Sequence, residues 1–523
     1  MIRSGAIVSA MTLISRLLGF VRDVVLARVF GAGPVFDAFV LAFRLPNLLR
    51  RLFAEGSFSL AFVPVLNEYK QQHGQEAVRE LIDRVTGTLM AVLLLVTGLG
   101  VWLAPQIVAL AAPGFARQGG DPALAADLLR ITFPYIFFIS LTALAGGVLN
   151  TWRRFAVPAI TPVLLNVSLI GAALLLAPRF ERPIEALAWG VLLAGVLQLL
   201  LQLPFLWRLG VLPRPRWGAA HAGVRRIGRL MVPTLFGSSV AQVNVLVDTF
   251  IASFLVAGSI SWLYFADRIL EFPLGVFGIA LATVILPGLS MRAASGDREG
   301  FRRDVDRALR LSLVIGLPAA VGLAMLAQPI MLALFQRGAF SVADAGMAGW
   351  ALAAYAVGLP AFIAVKVLAP AFFSRQDPAT PVRAALVALL VNLLLNVLLV
   401  WLILRTVGQG AHVGLAAASA IAAFVNAGLL LRALLRSGWY RPLAGWGVLS
   451  LRVLWSLAVM LALILLLGGW MPQVEGLALA GRLLVLFSLI GVAAIGYFAA
   501  LLAVGWRPRH HLASYQALSQ EKQ

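Results

Sequence analysis

Long apolar stretches of about twenty residues recur along the whole chain, separated by short polar or basic connections; residues 385–404 and 453–470 are two examples. A helix of about 20 apolar residues crosses the ~30 Å hydrocarbon core of a bilayer. The alternating apolar and polar pattern of half-buried strands does not appear in this sequence. Because backbone groups inside lipid must satisfy one another locally, the pattern predicts an all-α integral membrane protein.

The apolar pattern predicts fourteen transmembrane helices, the second of which is long and broken near Gly56. Their approximate cores are residues 7–29, 36–66, 86–111, 131–150, 159–177, 186–207, 231–257, 266–290, 311–334, 348–372, 384–404, 412–431, 453–470 and 483–506.

An internal repeat, somewhat shorter than half of the chain, organises these helices. Residues 44–70 and 268–292 each run from an arginine through an apolar helix to a proline, Pro64 in the first copy and Pro287 in the second. The proline motif at 158–162 recurs at 378–381, and the separation of these two motifs is nearly the same as that of Pro64 and Pro287. An even number of helices per repeat keeps the two copies parallel. We therefore expect two six-helix lobes around a central cavity plus two extra C-terminal helices; the alternative is a chance likeness of proline-containing helices.

The predicted domain organisation follows from this repeat. A basic linker at residues 211–230 joins the two lobes, and it fits either an amphipathic helix on the membrane surface or a solvated loop. The last two predicted helices fall outside the repeat. They are either an accessory that faces lipid or helices that fill space by packing. The predicted segments are an N-lobe at 1–210, the basic linker at 211–230, a C-lobe at 231–440, two further helices within 441–506 and a tail at 507–523.

The charge of the chain agrees with a membrane protein. Only 12% of its 523 residues are charged, against about 25% in soluble proteins. The net charge of +20 could indicate nucleic-acid binding, but the distribution points to topology instead. With fourteen helices, 27 of the 42 basic residues fall on one side and 7 on the other. Since basic loops stay inside the cell, both termini are predicted to be cytoplasmic, and no nucleic-acid partner is expected.

Candidate catalytic chemistry is absent from the sequence. The chain has no cysteine, and its five histidines show no metal-ligand spacing,. No phosphate-binding glycine loop of the Walker type occurs either. The sequence therefore indicates a transporter rather than an enzyme, without a bound cofactor.

Basic residues inside the apolar helices are the main functional signal. An arginine at the bilayer centre costs about 2.5–3.5 kcal/mol on insertion scales, and such residues commonly line a pathway. Guanidinium groups match phosphate oxygens with two parallel hydrogen bonds, so an anionic, phosphate-bearing lipid is the expected cargo. The alternative is structural ion pairing within the helix bundle. The candidate cavity residues are Arg16, Arg22, Asp23, Asp37, Arg50 and Arg268, with Asn47, Glu55 and Lys366 as secondary candidates.

The spacing of these residues predicts which of them share a helix face. Asp23 follows Arg16 by two helical turns, so the two are expected on one face, with Arg22 pointing elsewhere,. Separately, Asp248, Asn392 and Asn396 offer oxygen ligands for a cation such as Na⁺,. Polar contacts between helices explain the same three residues equally well.

Several stretches resemble a known family. They are ISRLLGFVRD (14–23), FRLPNLLRRLFAEGSFSLAFVPVLNEYK (43–70), LNTWRRF (149–155), ASFLVAGSISWLYFADRILEFPLGVFGIAL (252–281) and VKVLAPAFFSRQDPATPV (365–382). On these stretches the chain resembles the MurJ/MviN lipid II flippases of the multidrug/oligosaccharidyl-lipid/polysaccharide exporter superfamily, over nearly its whole length.

The resemblance implies movement of lipid II, an undecaprenyl-diphosphate-linked disaccharide pentapeptide, to the periplasmic leaflet of the bacterial inner membrane. It places the family's cavity arginines on Arg16, Arg22, Arg50 and Arg268, and acidic partners on Asp23 and Asp37. It also implies a polyprenyl-tail groove at the last two helices and, in some members, a sodium site.

We further expect alternating access, a monomer, membrane lipids and cell-wall synthesis enzymes as neighbours, and Na⁺, H⁺ or the membrane potential as driving force. The alternatives are export of another polyprenyl-linked glycan or of organic cations, or a non-transporting cell-wall scaffold.

Overall fold

The computed structural model describes residues 2–50, 58–468 and 477–507, and the regular structure of these residues is helical throughout. We number its α-helices in chain order. They are α1 (Ile2–Phe30), α2 (Pro34–Arg50), α3 (Phe58–Gln72), α4 (Gly74–Trp102), α5 (Ala104–Ala111), α6 (Pro122–Thr132), α7 (Tyr135–Thr151), α8 (Ala156–Gly171), α9 (Glu185–Arg208), α10 (Ala222–Ala252), α11 (Ser259–Pro273), α12 (Ile279–Ser295), α13 (Arg298–Met325), α14 (Ala327–Phe335), α15 (Val342–Val357), α16 (Leu359–Phe373), α17 (Ala379–Thr406), α18 (His412–Arg436), α19 (Trp446–Gly468) and α20 (Leu479–Ala503).

The helices confirm the predicted all-α membrane architecture. Within the described residues, nine helical stretches are long and apolar enough to span a bilayer, and a tenth is added if α15 and α16, which meet at a 43° bend, form one span. Several predicted cores correspond to consecutive helices: residues 86–111 are α4 with α5, and residues 311–334 are α13 with α14. The count of fourteen stays a prediction.

The chain divides into two compact units. Unit 1 comprises residues 1–261 and 337–341, and unit 2 comprises residues 262–336 and 342–523. The predicted lobe boundaries at residues 210 and 231 stay a prediction.

Each unit has a buried core, and equivalent helices of the repeat form the two cores. In unit 1 the core lies among α3, α4 and α7, and in unit 2 it lies among α12, α13 and α16. The separation between Pro64 and Pro287, which we call the repeat offset, also relates ten buried residues of the first core to buried residues of the second. They are Phe62, Leu66, Val78, Ile82, Val85, Leu144, Ala145, Val148, Leu149 and Val211, matched by Ile285, Leu289, Phe301, Val305, Ala308, Val367, Leu368, Ala371, Phe372 and Leu434.

The repeat offset also relates two unusual turns, at the ends of α7 and α16. Arg153 (φ 60°) and Gln376 (φ 58°) are the non-glycine residues with left-handed backbone in the described part of the chain, and they occupy equivalent positions of the two copies. In both turns the next amide donates to the carbonyl five residues back, at 2.9 Å after Arg153 and 3.0 Å after Gln376. This bond closes a helix end in a Schellman motif, for which glycine is the usual residue.

Residues 211–218 of the predicted linker, which we call the strap, contain no helix and lie against α4. The amide of Arg214 donates to Asp83 Oδ1 at 2.7 Å, and the amide of Arg216 donates to the Asp83 carbonyl at 3.1 Å. Gly87 permits this close approach, because a Cβ there would lie 2.2 Å from the Arg216 carbonyl oxygen. The strap is thus held against α4, and residues 222–230 of the predicted linker form the beginning of α10.

An aspartate between α12 and α13 caps α13. Asp297 Oδ1 accepts from the Gly300 amide at 2.8 Å, and Oδ2 accepts from Arg292 Nη1 at 2.7 Å. The Gly300 amide foremost, and then the Arg292 guanidinium, hold the pKa of the Asp297 carboxyl below its usual range,.

Candidate functional site

Arg22 on α1 is buried, and its guanidinium is held from two sides. Its Nε and Nη2 donate to Asp23 Oδ1 at 2.9 and 2.7 Å, and its Nη1 donates to Asn166 Oδ1 on α8 at 2.9 Å. Asn166 is fixed in turn, because its Nδ2 donates to the Ser15 carbonyl at 2.9 Å. The result is a charged group with a defined orientation inside an apolar helix pair.

The structure shows which arginine Asp23 binds. Spacing predicted only that Arg16 and Asp23 share a helix face, and the Asp23 carboxylate binds Arg22, its sequence neighbour. Arg22 and Asp23 are only 9% and 3% exposed, so a buried carboxylate beside the guanidinium compensates its charge,. Arg16 is half-buried on the same helix. The structure therefore contains one of the ion pairs that the sequence left open.

Asp37, near the start of α2, is 2% exposed and binds the first turn of α11. Its Oδ2 accepts from the Gly258 amide and its Oδ1 from the Ser261 amide, both at 2.7 Å, and the Ser261 hydroxyl also donates to Oδ1. All three residues belong to unit 1. A carboxylate at a helix N-terminus satisfies free amides and is favoured by the helix dipole. The carboxylate of Asp37 thus caps the N-terminus of α11.

The C-terminal half of α2 carries a row of polar side chains. The Arg44 guanidinium donates to the hydroxyl of Thr249 on α10, beside a small cleft lined mainly by apolar side chains. Further along the helix, Arg50 Nε donates to Asn47 Oδ1 at 3.0 Å, and both residues are half-buried. Glu55, a secondary candidate, lies outside the described residues.

Arg268 on α11 belongs to unit 2 and also pairs locally. Its Nη1 donates to Glu271 Oε2 at 2.7 Å, and its guanidinium carbon lies 5.1 Å from the centre of the Tyr264 ring. Side-chain exposure is 24% for Arg268 and 40% for Glu271, so this pair is more open than that of Arg22. Lys366 on α16 is exposed, and its Cγ would lie 3.6 Å from a Cβ at Gly278.

The candidate sodium ligands fall in different units. Asp248 lies on α10 in unit 1 and is 9% exposed, whereas Asn392 and Asn396 lie on α17 in unit 2. Asn396 Nδ2 donates to Asn392 Oδ1 at 2.9 Å, and Asn392 Nδ2 donates to Ser419 Oγ on α18 at 3.2 Å. The two asparagines therefore join neighbouring helices. Across the described residues no group of three or more His, Asp or Glu is arranged to hold a metal ion.

Asn166, Ser261 and Thr249 were absent from the sequence-based candidates. Asn166 carried a signal that could have found it, namely an amide side chain in the middle of an apolar helix,. Ser261 and Thr249 carried none, because isolated hydroxyl residues are ordinary in membrane helices.

Sequence comparisons with known proteins agree on one family. The sequence model described as "Lipid II flippase MurJ" matches residues 26–480. The chain is 46% identical to "Probable lipid II flippase MurJ" of Vibrio cholerae over 521 residues, covering 97% of each protein. It is 44% identical to the protein of that name from Haemophilus influenzae over 520 residues, covering 96% of this chain and 99% of the relative.

A solved structure supports the same relation. It is described as "Lipid II flippase MurJ, inward closed conformation" and matches with a TM-score of 0.77 at 26% identity. The match covers 95% of this chain and 99% of that one. The helical architecture therefore agrees with that protein over nearly its full length.

Proposed function

Because the chain belongs to the lipid II flippase MurJ family, we propose that it moves lipid II from the cytoplasmic to the periplasmic leaflet by alternating access. It is a multi-pass membrane protein of a transporter family, and its role lies in peptidoglycan and cell-wall biogenesis. No step of the proposal breaks or forms a covalent bond.

The observation that carries the proposal is the oriented guanidinium of Arg22. Asp23 and Asn166 fix its plane within the apolar helices. A fixed guanidinium presents its donors to a diphosphate at low entropic cost. We propose that Arg22 and the half-buried Arg16 and Arg50 of unit 1, together with Arg268 of unit 2, supply positive charge for the diphosphate.

The polyprenyl tail has different requirements from the diphosphate. Moving each of its methylene groups into water would cost about 0.8 kcal/mol, so the tail stays in an apolar environment during the cycle. We propose that α19 and α20 provide that environment. Both helices expose large apolar side chains, among them Leu451 and Ile495, which are 69% and 70% exposed.

Topology and energetics complete the proposal. Both termini lie in the cytoplasm, because 27 of the 42 basic residues fall on that side of the predicted fourteen helices,. The protein acts as a monomer in the bacterial inner membrane, near cell-wall synthesis enzymes. The membrane potential, worth about 2.3 kcal/mol per charge per 100 mV, or a Na⁺ or H⁺ gradient resets the cycle. Asp248, Asn392 and Asn396 are the proposed Na⁺ ligands.

The test is lipid II exposure on the outer face of cells that depend on this protein. We expect Arg22→Ala and Arg268→Ala, inserted at normal levels, to abolish exposure. Arg130→Ala is the matched control: Arg130 is 46% exposed and pairs with Asp127 at 2.9 Å on a helix surface. Wild-type exposure in both Arg22→Ala and Arg268→Ala cells would contradict the assignment of the diphosphate to these arginines.

A further inference from the structure

Asp306 on α13 accepts four hydrogen bonds on one buried carboxylate. It is 2% exposed. Its Oδ1 accepts from Tyr440 Oη at 2.9 Å, from the Leu443 amide at 3.1 Å and from Trp446 Nε1 at 2.8 Å. Its Oδ2 accepts from Arg310 Nε at 2.6 Å. Three of the four donors therefore belong to the connection that leaves α18 and to the first residue of α19.

Arginines on α13 bind the carbonyls of the same connection. Arg310 Nη2 donates to the carbonyls of Leu443 and Ala444 at 3.1 and 2.8 Å, and Arg302 Nε donates to the Arg441 carbonyl at 2.7 Å. Charged donors and acceptors make the stronger hydrogen bonds, and Arg310 also compensates the buried charge of Asp306. One face of α13 thus fixes the backbone on which α19 begins.

Two further polar contacts join α20 to α13 and to the segment after α14. Tyr497 Oη donates to the Val314 carbonyl at 2.9 Å, in the middle of α13. Arg482, at the start of α20, donates to the side chain of Gln336, which directly follows α14. Together with the contacts of Asp306, they hold the C-terminal pair α19–α20 at three levels along α13 and α14.

The first repeat contains the counterpart of Asp306. Asp83 on α4 precedes Asp306 by the repeat offset, and its Oδ1 accepts from the Arg214 amide of the strap at 2.7 Å. The neighbouring Arg84 Nη1 donates to the Trp217 carbonyl at 2.8 Å. In both units, therefore, an aspartate at one position of the repeat fixes the segment that leaves the last helix of that repeat. In unit 1 this segment leads to α10, and in unit 2 it leads to α19.

We propose that Asp306 is a positioning residue that fixes the C-terminal pair α19–α20 to α13, so that the pair and α13 move as one body. It acts through the connection that it binds and touches no substrate. The consequence for transport rests on the proposed function: Asp306 sets where the tail-binding helices lie.

The test uses the absence of cysteine in this chain. Arg303→Cys on α13 and Leu466→Cys on α19 are both at exposed positions, and each takes a spin label. The first label lies near the start of α19, because Asp306, three residues after Arg303, binds Trp446. Leu466 lies twenty residues beyond Trp446, which is about 30 Å of helix rise,. A separation of about this size suits pulsed EPR distance measurement. The full-length protein in lipid nanodiscs is expected to give one narrow distance distribution.

Asp306→Ala in this background is expected to broaden the distribution at least twofold. Asp83→Ala, the matched control in the first repeat, is expected to leave it unchanged. If Asp306→Ala does not accumulate, the pair Tyr440→Phe and Trp446→Phe removes two donors while keeping the carboxylate, and a smaller broadening is expected.

An unchanged distribution in the Asp306 variant, or equal broadening in the Asp83 variant, would overturn the proposal. Lipid II exposure by the wild-type protein is measured separately. Its absence would refute the proposed function and leave the distance result standing.

Discussion

Asp37 gives the sharpest stability prediction, because its three hydrogen bonds all end on one buried carboxylate. A hydrogen bond to a charged group contributes about 1.5–3 kcal/mol, and a helix cap about 0.5–2 kcal/mol. These contributions are not additive, so Asp37→Ala should cost about 3–5 kcal/mol, including the amides of Gly258 and Ser261 left unsatisfied. Asp37→Asn keeps one acceptor but sets its NH₂ against an amide donor, and should cost about 2 kcal/mol. Ser261→Ala removes only the hydroxyl and should cost about 1 kcal/mol.

The assay is thermal unfolding of the detergent-solubilised protein, followed by the fluorescence of its 13 tryptophans. Because membrane proteins often unfold irreversibly, all variants are compared at one scan rate. The expected order of apparent melting temperatures is wild type, Ser261→Ala, Asp37→Asn and Asp37→Ala, from highest to lowest. If Asp37→Ala melts no lower than Ser261→Ala, the capping role is wrong.

Contacts elsewhere in the chain give three more predictions. Asn166→Ala should lower lipid II exposure about tenfold at normal protein levels, because Arg22 loses a hydrogen bond of roughly 1.4 kcal/mol; unchanged exposure would show that Asn166 does not orient it. Gln376→Gly should stabilise the protein by up to about 1 kcal/mol, since glycine adopts a positive φ without strain, and a lower melting temperature than wild type would contradict this. Asp297→Asn should lower the melting temperature at pH 7. The folded pKa of Asp297 lies below its unfolded value, so the difference in melting temperature between wild type and variant should persist above about pH 4 and vanish as the pH falls through the folded pKa. A difference that grows on acidification would show that the pKa is raised in the folded protein.

The sequence was sufficient for the helical membrane fold and for the repeat. Apolar length depends on local composition alone, and the offset between Pro64 and Pro287 recurs in both buried cores. The choice of ionic partners could not be predicted in this way. Spacing on a straight helix predicts that Arg16 and Asp23 share a face, but it does not predict that Arg22 binds its neighbour Asp23 and Asn166 on another helix. That choice depends on contacts between α1 and α8, which no local pattern encodes.

The role of Asp306 could not be predicted from the sequence for a different reason. It lies in a stretch dense in arginine and aspartate, which reads as an ordinary solvated end of a helix. Its importance comes from a connection that is remote from it in the chain. The counterpart at Asp83 becomes visible only when the two units are compared by their hydrogen bonds.

The left-handed turns at Arg153 and Gln376 separate backbone geometry from side-chain identity. The side chains of the two turns now differ in size and charge, yet both retain the same backbone bond and the same non-glycine strain. Since unlike side chains occupy one backbone geometry at equivalent positions, the turn is set by the end of the helix and not by the residue that occupies it,. Either position therefore accepts a change of side chain more readily than a change in the length of the turn.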